Sequence, residues 1–251
     1  MEGQMPGFYT PTIFGAIEGL VAGESRRTGG FSAPPYASLN LSFFTKDDHA
    51  TVALNRQAFF GALGFSEGTV AWTHQVHGAE VALVESPTVL QGYDALISNT
   101  KGVLLAISVA DCTPILIYDP VHQAIGAAHA GWRGTVGAIV RKTLAMMQQQ
   151  FGTIPADCRA FVGTCIDQDS FEVDADVADH FSAEFKYWDP AKRKFFVDLK
   201  AANQTQLLQA GLPEAQVEVS PFSTYLRNDL YFSHRKEKGV TGRMLAVIGL
   251  K

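Results

Sequence analysis

Cysteine is scarce in this sequence. The chain of 251 residues contains three cysteines, Cys112, Cys158 and Cys165. Small disulfide-stabilised scaffolds use an even, dense set of cysteines, so this odd and low number argues against a disulfide framework. We therefore expect free thiols, each of which is a candidate for catalysis or metal binding.

Positive charge and long apolar runs are scarce as well. The net charge is -5, and the one notable basic cluster, Lys192 to Lys194, is short and next to Phe195. A nucleic-acid binder that neutralises phosphates needs a basic face, which this composition does not offer. No run approaches the roughly 18 apolar residues of a membrane helix, and the start of the chain lacks the layout of a signal peptide. We expect a cytoplasmic protein that binds neither nucleic acid nor membrane.

The sequence shows no internal repeats, low-complexity segments or linkers, so we expect one domain over residues 1–251. Short apolar runs bounded by Gly, Pro, Asp or Asn, such as "GVLLAISVA", "PILIYD" and "AIGAAHA", predict strands. Helical periodicity predicts helices over 50–64, 133–151, 175–186 and 198–210. In 133–151, Val136, Ile139, Val140, Leu144 and Met147 lie on one predicted apolar stripe. The fold class is therefore α/β or α+β, with mixed sheets covered by helices.

Three segments place a His or Cys at the end of an apolar strand, beside a turn residue: "THQVHGAEV" at 73–81, "VADCTPILIYD" at 109–119 and "AAHAGWRG" at 127–134. Strand ends deliver side chains to shared sites. Imidazole and thiolate ligands suit Zn²⁺, and three protein ligands leave a fourth position for water. His77, Cys112 and His129 are therefore a candidate catalytic zinc site, with their ligating atoms expected within roughly 4 Å of one another.

Other interpretations of these residues remain open. Cys112 fits a buried small hydrophobic residue, and His129 a hydrogen-bonded core histidine. Cys112 also fits a metal-free nucleophile with His129 as its base. Asp111 could orient a histidine or cap a turn. If 72–78 is a strand, His74 lies on the face opposite His77 and outside the metal site.

The motifs "QVHGAEV", "ADCTPILIYDP" and "AAHAGWRGTVGAIV" occur in this order, together with "SLNLS", "SFEVDADV" and "LYFSHRKEKGVTGR". With them the chain resembles the YfiH or laccase-domain family over nearly its whole length. That family is described both as multicopper polyphenol oxidase-like and as purine nucleoside phosphorylase with adenosine deaminase activity. The resemblance implies an α/β/β/α sandwich and a zinc ion held by His77, Cys112 and His129.

The resemblance also implies phosphorolysis of adenosine, inosine, guanosine and methylthioadenosine, and hydrolytic deamination of adenosine. By resemblance, Asn40 and Arg56 are candidates for phosphate or sugar contacts, and Glu172 for a ribose hydroxyl. Each has a structural alternative: Asn40 as a turn residue, Arg56 as a charge on a helix surface and Glu172 as an exposed strand position. Trp132 could stack on a base or belong to the core.

The sequence departs from the family pattern in two places. Where members carry "GPxIGxCCYEV", this chain has "GTCIDQDSFEV" at 163–173, with Thr164, Asp167 and Ser170 replacing proline, glycine and cysteine. At 223 it has "STY" in place of "CTY". These positions belong to loops that we expect near the substrate pocket.

The residue types also limit the chemistry. A multicopper oxidase needs roughly ten histidines in His-x-His pairs, whereas this chain has seven histidines and no such pair. The His-x-Glu and Cys-x-x-Cys signature of zinc deaminases is missing too. Phosphorolysis needs arginines and backbone N–H groups for phosphate, and Arg133 lies in the first turn of a predicted helix.

We therefore expect a zinc-dependent purine nucleoside phosphorylase with adenosine deaminase activity, in which Cys112, His129 and Arg133 are catalytic. Its partners are nucleosides and phosphate, and it is a monomer or homodimer. One alternative is a metal-free Cys/His hydrolase acting on an amide or ester such as a cell-wall precursor. The other is a nucleoside-binding module.

Overall fold

A computed structural model describes residues 5–251. Its strands form two six-stranded sheets and one three-stranded sheet. The first sheet has the order β1-β2-β15-β7-β3-β5, the second β14-β10-β8-β9-β6-β4, and the small sheet β11-β13-β12. The strands are β1 (Phe8–Tyr9), β2 (Leu20–Ser25), β3 (Val70–His74), β4 (Val81–Leu83), β5 (Val89–Gln91), β6 (Ala95–Ser98), β7 (Leu104–Val109), β8 (Thr113–Asp119), β9 (Ala124–Ala130), β10 (Arg159–Val162), β11 (Glu172–Val173), β12 (Lys186–Asp189), β13 (Lys194–Val197), β14 (Val217–Val219) and β15 (Met244–Leu250).

Both large sheets are mixed. The central pairs β8–β9 and β7–β15 are antiparallel, whereas β3 pairs in parallel with both β5 and β7. The apolar runs that predicted strands at 104–109, 113–119 and 124–130 are all fully paired. Such runs are typical of strands that are buried on both faces.

The alternation of side chains along these strands defines the layers. In β7, Leu105 and Ile107 pack in the core between the two large sheets, and Leu104 and Ala106 pack on the outer face of the first sheet. In β8, Leu116 points to the core between the sheets and Ile115 to the outer face of the second sheet. Because side chains alternate with period two, each central strand contributes to two cores.

Helices cover both outer faces. The helices are α1 (His49–Ala62), α2 (Trp132–Val136), α3 (Ile139–Phe151), α4 (Ala175–Ala178) and α5 (Leu199–Gln209). Phe59 and Phe60 of α1 pack on the first sheet, and Leu144 of α3 and Leu207 of α5 pack on the second. This order of layers confirms the expected α/β/β/α arrangement with mixed sheets. No helix within residues 5–251 combines the length and the apolar composition needed to span a membrane.

The prediction of one helix over 133–151 is wrong. The segment forms α2 and α3, separated by Gly137 and by Ala138, which has a left-handed backbone with φ 56°. Two side chains of α5 stabilise the interruption, since Asn203 donates to Thr135 Oγ1 at 3.0 Å and Gln206 to Thr135 O at 2.7 Å. Val136, predicted on the buried stripe, is 41% exposed.

The helix predicted over 175–186 is also much shorter than expected, because α4 ends at Ala178. Lys186 lies in β12 instead, and its Nζ donates to the carbonyl of Ala178 at 2.6 Å. This contact satisfies a free carbonyl at the end of α4, which an isolated sequence pattern does not reveal.

Candidate functional site

His77, Cys112 and His129 converge at one end of the two large sheets. His77 lies in the loop after β3, Cys112 in the turn before β8, and His129 near the end of β9. One potential ligand atom from each lies within 4.8 Å of the others, slightly farther apart than expected. His129 is buried, Cys112 half-buried and His77 exposed, so the group opens to solvent on one side.

Backbone geometry at the site is unusual. His77 has φ 58° and the neighbouring turn residue Asp111 has φ 88°, both in the left-handed region that L-residues rarely adopt. Asp111 accepts hydrogen bonds from Thr224 Oγ1 at 2.6 Å and from the Arg235 N–H at 2.7 Å. By accepting these two hydrogen bonds, the Asp111 carboxylate fixes the turn before Cys112.

Asp94 connects two of the three residues. This fully buried carboxylate accepts from His129 Nδ1 at 2.8 Å and from the His77 N–H at 3.0 Å. Its second oxygen accepts from the backbone N–H groups of Val76 and Gly78. Because a carboxylate only accepts, Nδ1 of His129 carries the proton and Nε2 is left for another partner. A carboxylate behind a histidine in this way is typical of metal sites.

Sequence reasoning missed Asp94. Its position before β6 in "GYDALIS" resembles an ordinary turn residue. Burial alone raises the pKa of Asp94, but the hydrogen bonds from His129 and the loop amides lower it below its ordinary value. Asp94 is therefore ionised at neutral pH and holds both the ring of His129 and the loop of His77.

Gly131 leaves space beside the three residues. A Cβ atom there would lie 3.1 Å from Cys112 Sγ, 3.4 Å from His77 Cδ2 and 3.8 Å from His129 Cε1. All three candidate ligands thus border the volume that a side chain at 131 would occupy.

The electrostatics favour a thiolate at Cys112. Burial alone would raise the pKa of Cys112, but the charges and hydrogen bonds of His129 and His77 lower it to about 6. For His129, burial lowers the pKa, whereas the Cys112 thiolate and Asp94 raise it to about 9. A thiolate with two imidazoles is a donor set that suits zinc, so these residues fit the ion that the family resemblance implies.

A cavity of about 590 Å³ contains these three residues in its wall. It lies where β3 and β7 end and β15 begins, and it extends along the α1 side of the first sheet. Four arginines line it: Arg56, Arg133, Arg235 and Arg243. The cavity thus combines a candidate metal group with concentrated positive charge.

Aromatic side chains form another part of the cavity wall. Phe44 is 60% exposed, and its ring centroid lies 4.5 Å from that of His74. Trp72 stacks on His74 with the ring centroids 5.3 Å apart and also contacts Phe44 at 5.7 Å. The strand that we expected over 72–78 ends at His74, and His74 lines the same cavity as His77. Trp132 also lines the cavity while it packs against a satellite core.

Arg133 and Arg56 both line the cavity but differ in their partners. Arg133 is exposed, and its guanidinium lies 4.3 Å from the centroid of the Trp132 ring. Arg56 is only 3% exposed. It makes a bidentate pair with Glu67 through Nε and Nη2, at 2.9 and 2.8 Å, and donates from Nη1 to Leu41 O at 2.9 Å. All three Arg56 nitrogens are therefore engaged within the protein.

Asn40 and Glu172 do not line the cavity. Asn40 is fully buried; its Oδ1 accepts from the Arg243 N–H at 3.0 Å, and its Nδ2 donates to Asp47 at 3.0 Å. Glu172 is exposed on β11, and its carbonyl accepts from Arg235 Nη1 at 3.0 Å. Both residues therefore contact an arginine that lines the cavity.

The departures from the family pattern lie outside the cavity lining, and three of them, Asp167, Ser170 and Ser223, are hydrogen-bonded together. Asp167 accepts from Ser223 Oγ and, at 2.9 Å, from Ser170 Oγ. Thr164 donates to Glu24 through both its N–H and its hydroxyl. Each replacement thus has a partner, and the lining residues nearby are Ile166 and Phe171.

Together, the fold and the site define a mixed α/β protein with a His-Cys-His donor group in an arginine-lined cavity. The family described as multi-copper polyphenol oxidoreductase laccase matches residues 21–251. The chain belongs to this family, which confirms the resemblance seen in the motifs.

Named relatives agree with this membership. The chain is 43% identical over 226 residues to the purine nucleoside phosphorylase of Deinococcus radiodurans, covering 89% of this chain and 87% of that protein. It is 36% identical over 247 residues to the purine nucleoside phosphorylase YlmD of Geobacillus stearothermophilus, covering 92% and 90%. A crystal structure of YlmD from Geobacillus stearothermophilus superposes with a TM-score of 0.92 at 34% identity, covering 99% of this chain and 97% of that one.

Proposed function

We propose that the protein is a zinc-dependent purine nucleoside phosphorylase that also deaminates adenosine. The observation that carries this proposal is the convergence of His77, Cys112 and His129 in a cavity lined by arginines. The names of the relatives support the substrate class, purine nucleosides with phosphate. Adenosine, inosine, guanosine and methylthioadenosine are the proposed substrates.

His77, Cys112 and His129 would hold the zinc ion, and Asp94 would keep His129 in the tautomer that leaves Nε2 free. Zinc bound there would supply Lewis-acid chemistry, either by acidifying water or by stabilising negative charge that develops on the substrate. Gly131 leaves room for substrate atoms to approach, because no side chain projects from it toward the ligands.

In phosphorolysis, an oxygen of phosphate forms a bond to C1′ of the ribose while the bond from C1′ to N9 breaks. The electron pair of that bond leaves with the purine, which takes up a proton and departs as the free base. Arg133, Arg235 and Arg243 of the cavity would neutralise the phosphate charge and orient its oxygens. Phe44 and His74 offer ring faces on which a purine can stack.

A metal-free Cys/His hydrolase is the second candidate, and a specific observation favours it. Without metal, Cys112 and His129 form a thiolate-imidazolium pair, since the pKa of Cys112 falls to about 6 and that of His129 rises to about 9. Such a pair is the usual form of an activated cysteine nucleophile. The third alternative, a nucleoside-binding module, predicts binding without turnover.

Metal analysis combined with product analysis separates these functions. We expect about one zinc per chain, lost on Cys112→Ala, and conversion of adenosine to adenine only when phosphate is present, with inosine and hypoxanthine reporting deamination. The matched control is Cys158→Ala, which removes a thiol buried on the far side of the second sheet and should keep both metal and activity. A metal-free wild type with an alkylatable Cys112 would support the hydrolase instead. Nucleoside that is bound but unchanged over long incubation would support the binding module.

A further inference from the structure

The segment "LYFSHRKEKGVTGR" at 230–243 contains two arginines to which the function proposed so far gives no individual role. The segment forms a loop that ends at the start of β15. Glu237 fixes this loop by accepting from Arg27 Nη2 at 3.1 Å and from the Ser233 N–H at 3.2 Å. Both arginines of the motif, Arg235 and Arg243, line the cavity that contains the candidate metal ligands.

The backbone of Arg243 is held from both sides. Its N–H donates to Asn40 Oδ1 at 3.0 Å, and its carbonyl accepts from the Leu41 N–H at 3.1 Å. Asn40 is itself immobilised by hydrogen bonds to Thr45 and Asp47. The buried Asn40 therefore fixes where Arg243 enters the cavity.

The guanidinium of Arg243 is only partly satisfied by the protein. Nη1 donates to the carbonyls of Thr241 and Gly242 at 3.0 and 2.9 Å. Nε and Nη2 make no hydrogen bond within residues 5–251, and none of the arginines 133, 235 and 243 forms an ion pair in that part of the chain. A half-buried cation without a carboxylate partner is costly unless a ligand supplies the negative charge.

The electrostatic surroundings and the position of Arg243 agree with the need for a negatively charged ligand. Burial lowers the pKa of Arg243, and the nearby charges of Asp111 and Cys112 act against that effect. Arg243 lines the same cavity as Asp111 and Cys112. Arg133, by contrast, is exposed and lies over Trp132. The guanidinium of Arg235 donates from Nη1 to the Glu172 carbonyl and lies over the Phe171 ring at 5.5 Å.

We infer that Arg243 is the main phosphate-binding residue of the cavity and that Asn40 positions it. The ligand is a phosphate dianion, held by Nε and Nη2 in the bidentate geometry that a guanidinium provides. This inference rests on the proposed phosphorylase function, in which the dianion is the free phosphate co-substrate. Arg133, which the sequence predicts to be catalytic, then has a secondary role at the opening.

The test measures phosphate binding directly, by calorimetric titration of the zinc-loaded protein with inorganic phosphate alone. Arg243→Lys and Arg243→Met should weaken phosphate binding at least ten-fold, because lysine keeps the charge but loses the planar pair of donors. Arg133→Lys should weaken it less. Arg141→Lys, the same change at an exposed position of α3, is the matched control and should bind phosphate like the wild type. Inosine binding without phosphate should change less than two-fold in Arg243→Met, which shows that the pocket is intact.

Further measurements distinguish free phosphate from the phosphate group of a nucleotide. They also separate the assignment of Arg243 from the proposed phosphorylase function. If Arg243→Met weakens the binding of inosine 5′-monophosphate but leaves the binding of inorganic phosphate unchanged, the assignment of the site to free phosphate is overturned. An unchanged phosphate KM in an Arg243→Met enzyme that still phosphorolyses inosine overturns the Arg243 assignment and leaves the proposed function standing. Phosphate binding that is lost in Arg243→Met, in a protein that never cleaves nucleosides, supports the anion site and refutes the phosphorylase function.

Discussion

A methyl group at Gly131 would project into the space between the three candidate ligands, 3.1 Å from Cys112 Sγ. The backbone of Gly131, with φ -68° and ψ 174°, accepts alanine without strain. We therefore expect Gly131→Ala to weaken zinc binding at least ten-fold while the metal-free protein keeps its melting temperature. Zinc titration against a competing chelator measures the affinity. Gly61→Ala is the control, since nothing lies within 4 Å of a Cβ there. Equal zinc affinity in Gly131→Ala and wild type would place the metal elsewhere.

Substitution of Asp94 tests whether the carboxylate that accepts from His129 Nδ1 contributes to metal binding. Asp94→Asn keeps an oxygen for His129 but places an amide nitrogen where backbone N–H groups now donate. Loss of such a partner typically weakens metal binding about 10- to 100-fold, and we expect zinc affinity to fall within that range. Asp119→Asn is the matched control, because Asp119 is equally buried and binds His122 Nδ1 at the same distance of 2.8 Å. A similar loss of zinc affinity in both variants would indicate general destabilisation instead.

At the scale of elements, the break between α2 and α3 carries a measurable cost. Ala138 has φ 56° and ψ 41°, a conformation that glycine adopts without steric penalty. Ala138→Gly should stabilise the protein by about 1 kcal/mol, which corresponds to a rise in melting temperature of roughly 2–4 °C for a chain of this size. Ala145→Gly, at an exposed position inside α3, should instead destabilise by about 1 kcal/mol. The same sign of change in both variants would show that the break does not strain Ala138.

The same elements show what sequence patterns can predict. Apolar runs at 104–109, 113–119 and 124–130 predicted strands correctly, because a strand buried on both faces carries the signal in its own residues. Strand ends then brought His77, Cys112 and His129 together as expected. Asp94 was missed because its role depends on a partner 35 residues away on another strand. The helix break was missed because side chains of α5 stabilise it from outside the segment.

Asn40 illustrates the same limit. Its motif suggested a direct contact with substrate, whereas the structure places it behind Arg243, 203 residues farther along the chain. A motif can mark a residue near a site without distinguishing contact from support, since both depend on pairings that sequence spacing does not contain.

At the scale of the whole molecule, the two large sheets are joined through a buried carboxyl group as well as through their apolar core. Glu24 of β2, in the first sheet, accepts from the N–H of Thr164 at 2.9 Å, directly beyond β10 of the second sheet. The hydroxyl of Thr164 contacts both Glu24 and, at 2.6 Å, Ser220. Burial raises the pKa of Glu24 to about 7, although the hydrogen bonds from Thr164 and the charge of Lys200 lower it in part.

This shift makes the stability of the folded protein depend on pH. The folded state keeps the Glu24 proton up to about pH 7, whereas an unfolded glutamate releases it near its ordinary pKa. Between these values the folded state binds more protons, so stability falls as pH rises, by about 3 kcal/mol in total. Glutamine has no proton to lose. The unfolding free energy of Glu24→Gln relative to wild type should therefore increase by about that amount between pH 4.5 and pH 8.

Urea unfolding of the metal-free protein measures this difference, because the contributions of all other groups cancel between the two proteins. Glu218→Gln is the control with the opposite sign. Burial raises the pKa of Glu218, but hydrogen bonds from Thr12 and the Ile13 N–H outweigh it and lower the pKa below its ordinary value. A group with a lowered pKa stabilises the folded state at pH values above its ordinary pKa, and this stabilisation is lost in acid. Glu218→Gln should therefore lose stability relative to wild type as pH rises. A Glu24→Gln difference that stays flat across this range would mean that Glu24 is ionised between the sheets and is compensated there by Lys200 and Arg26.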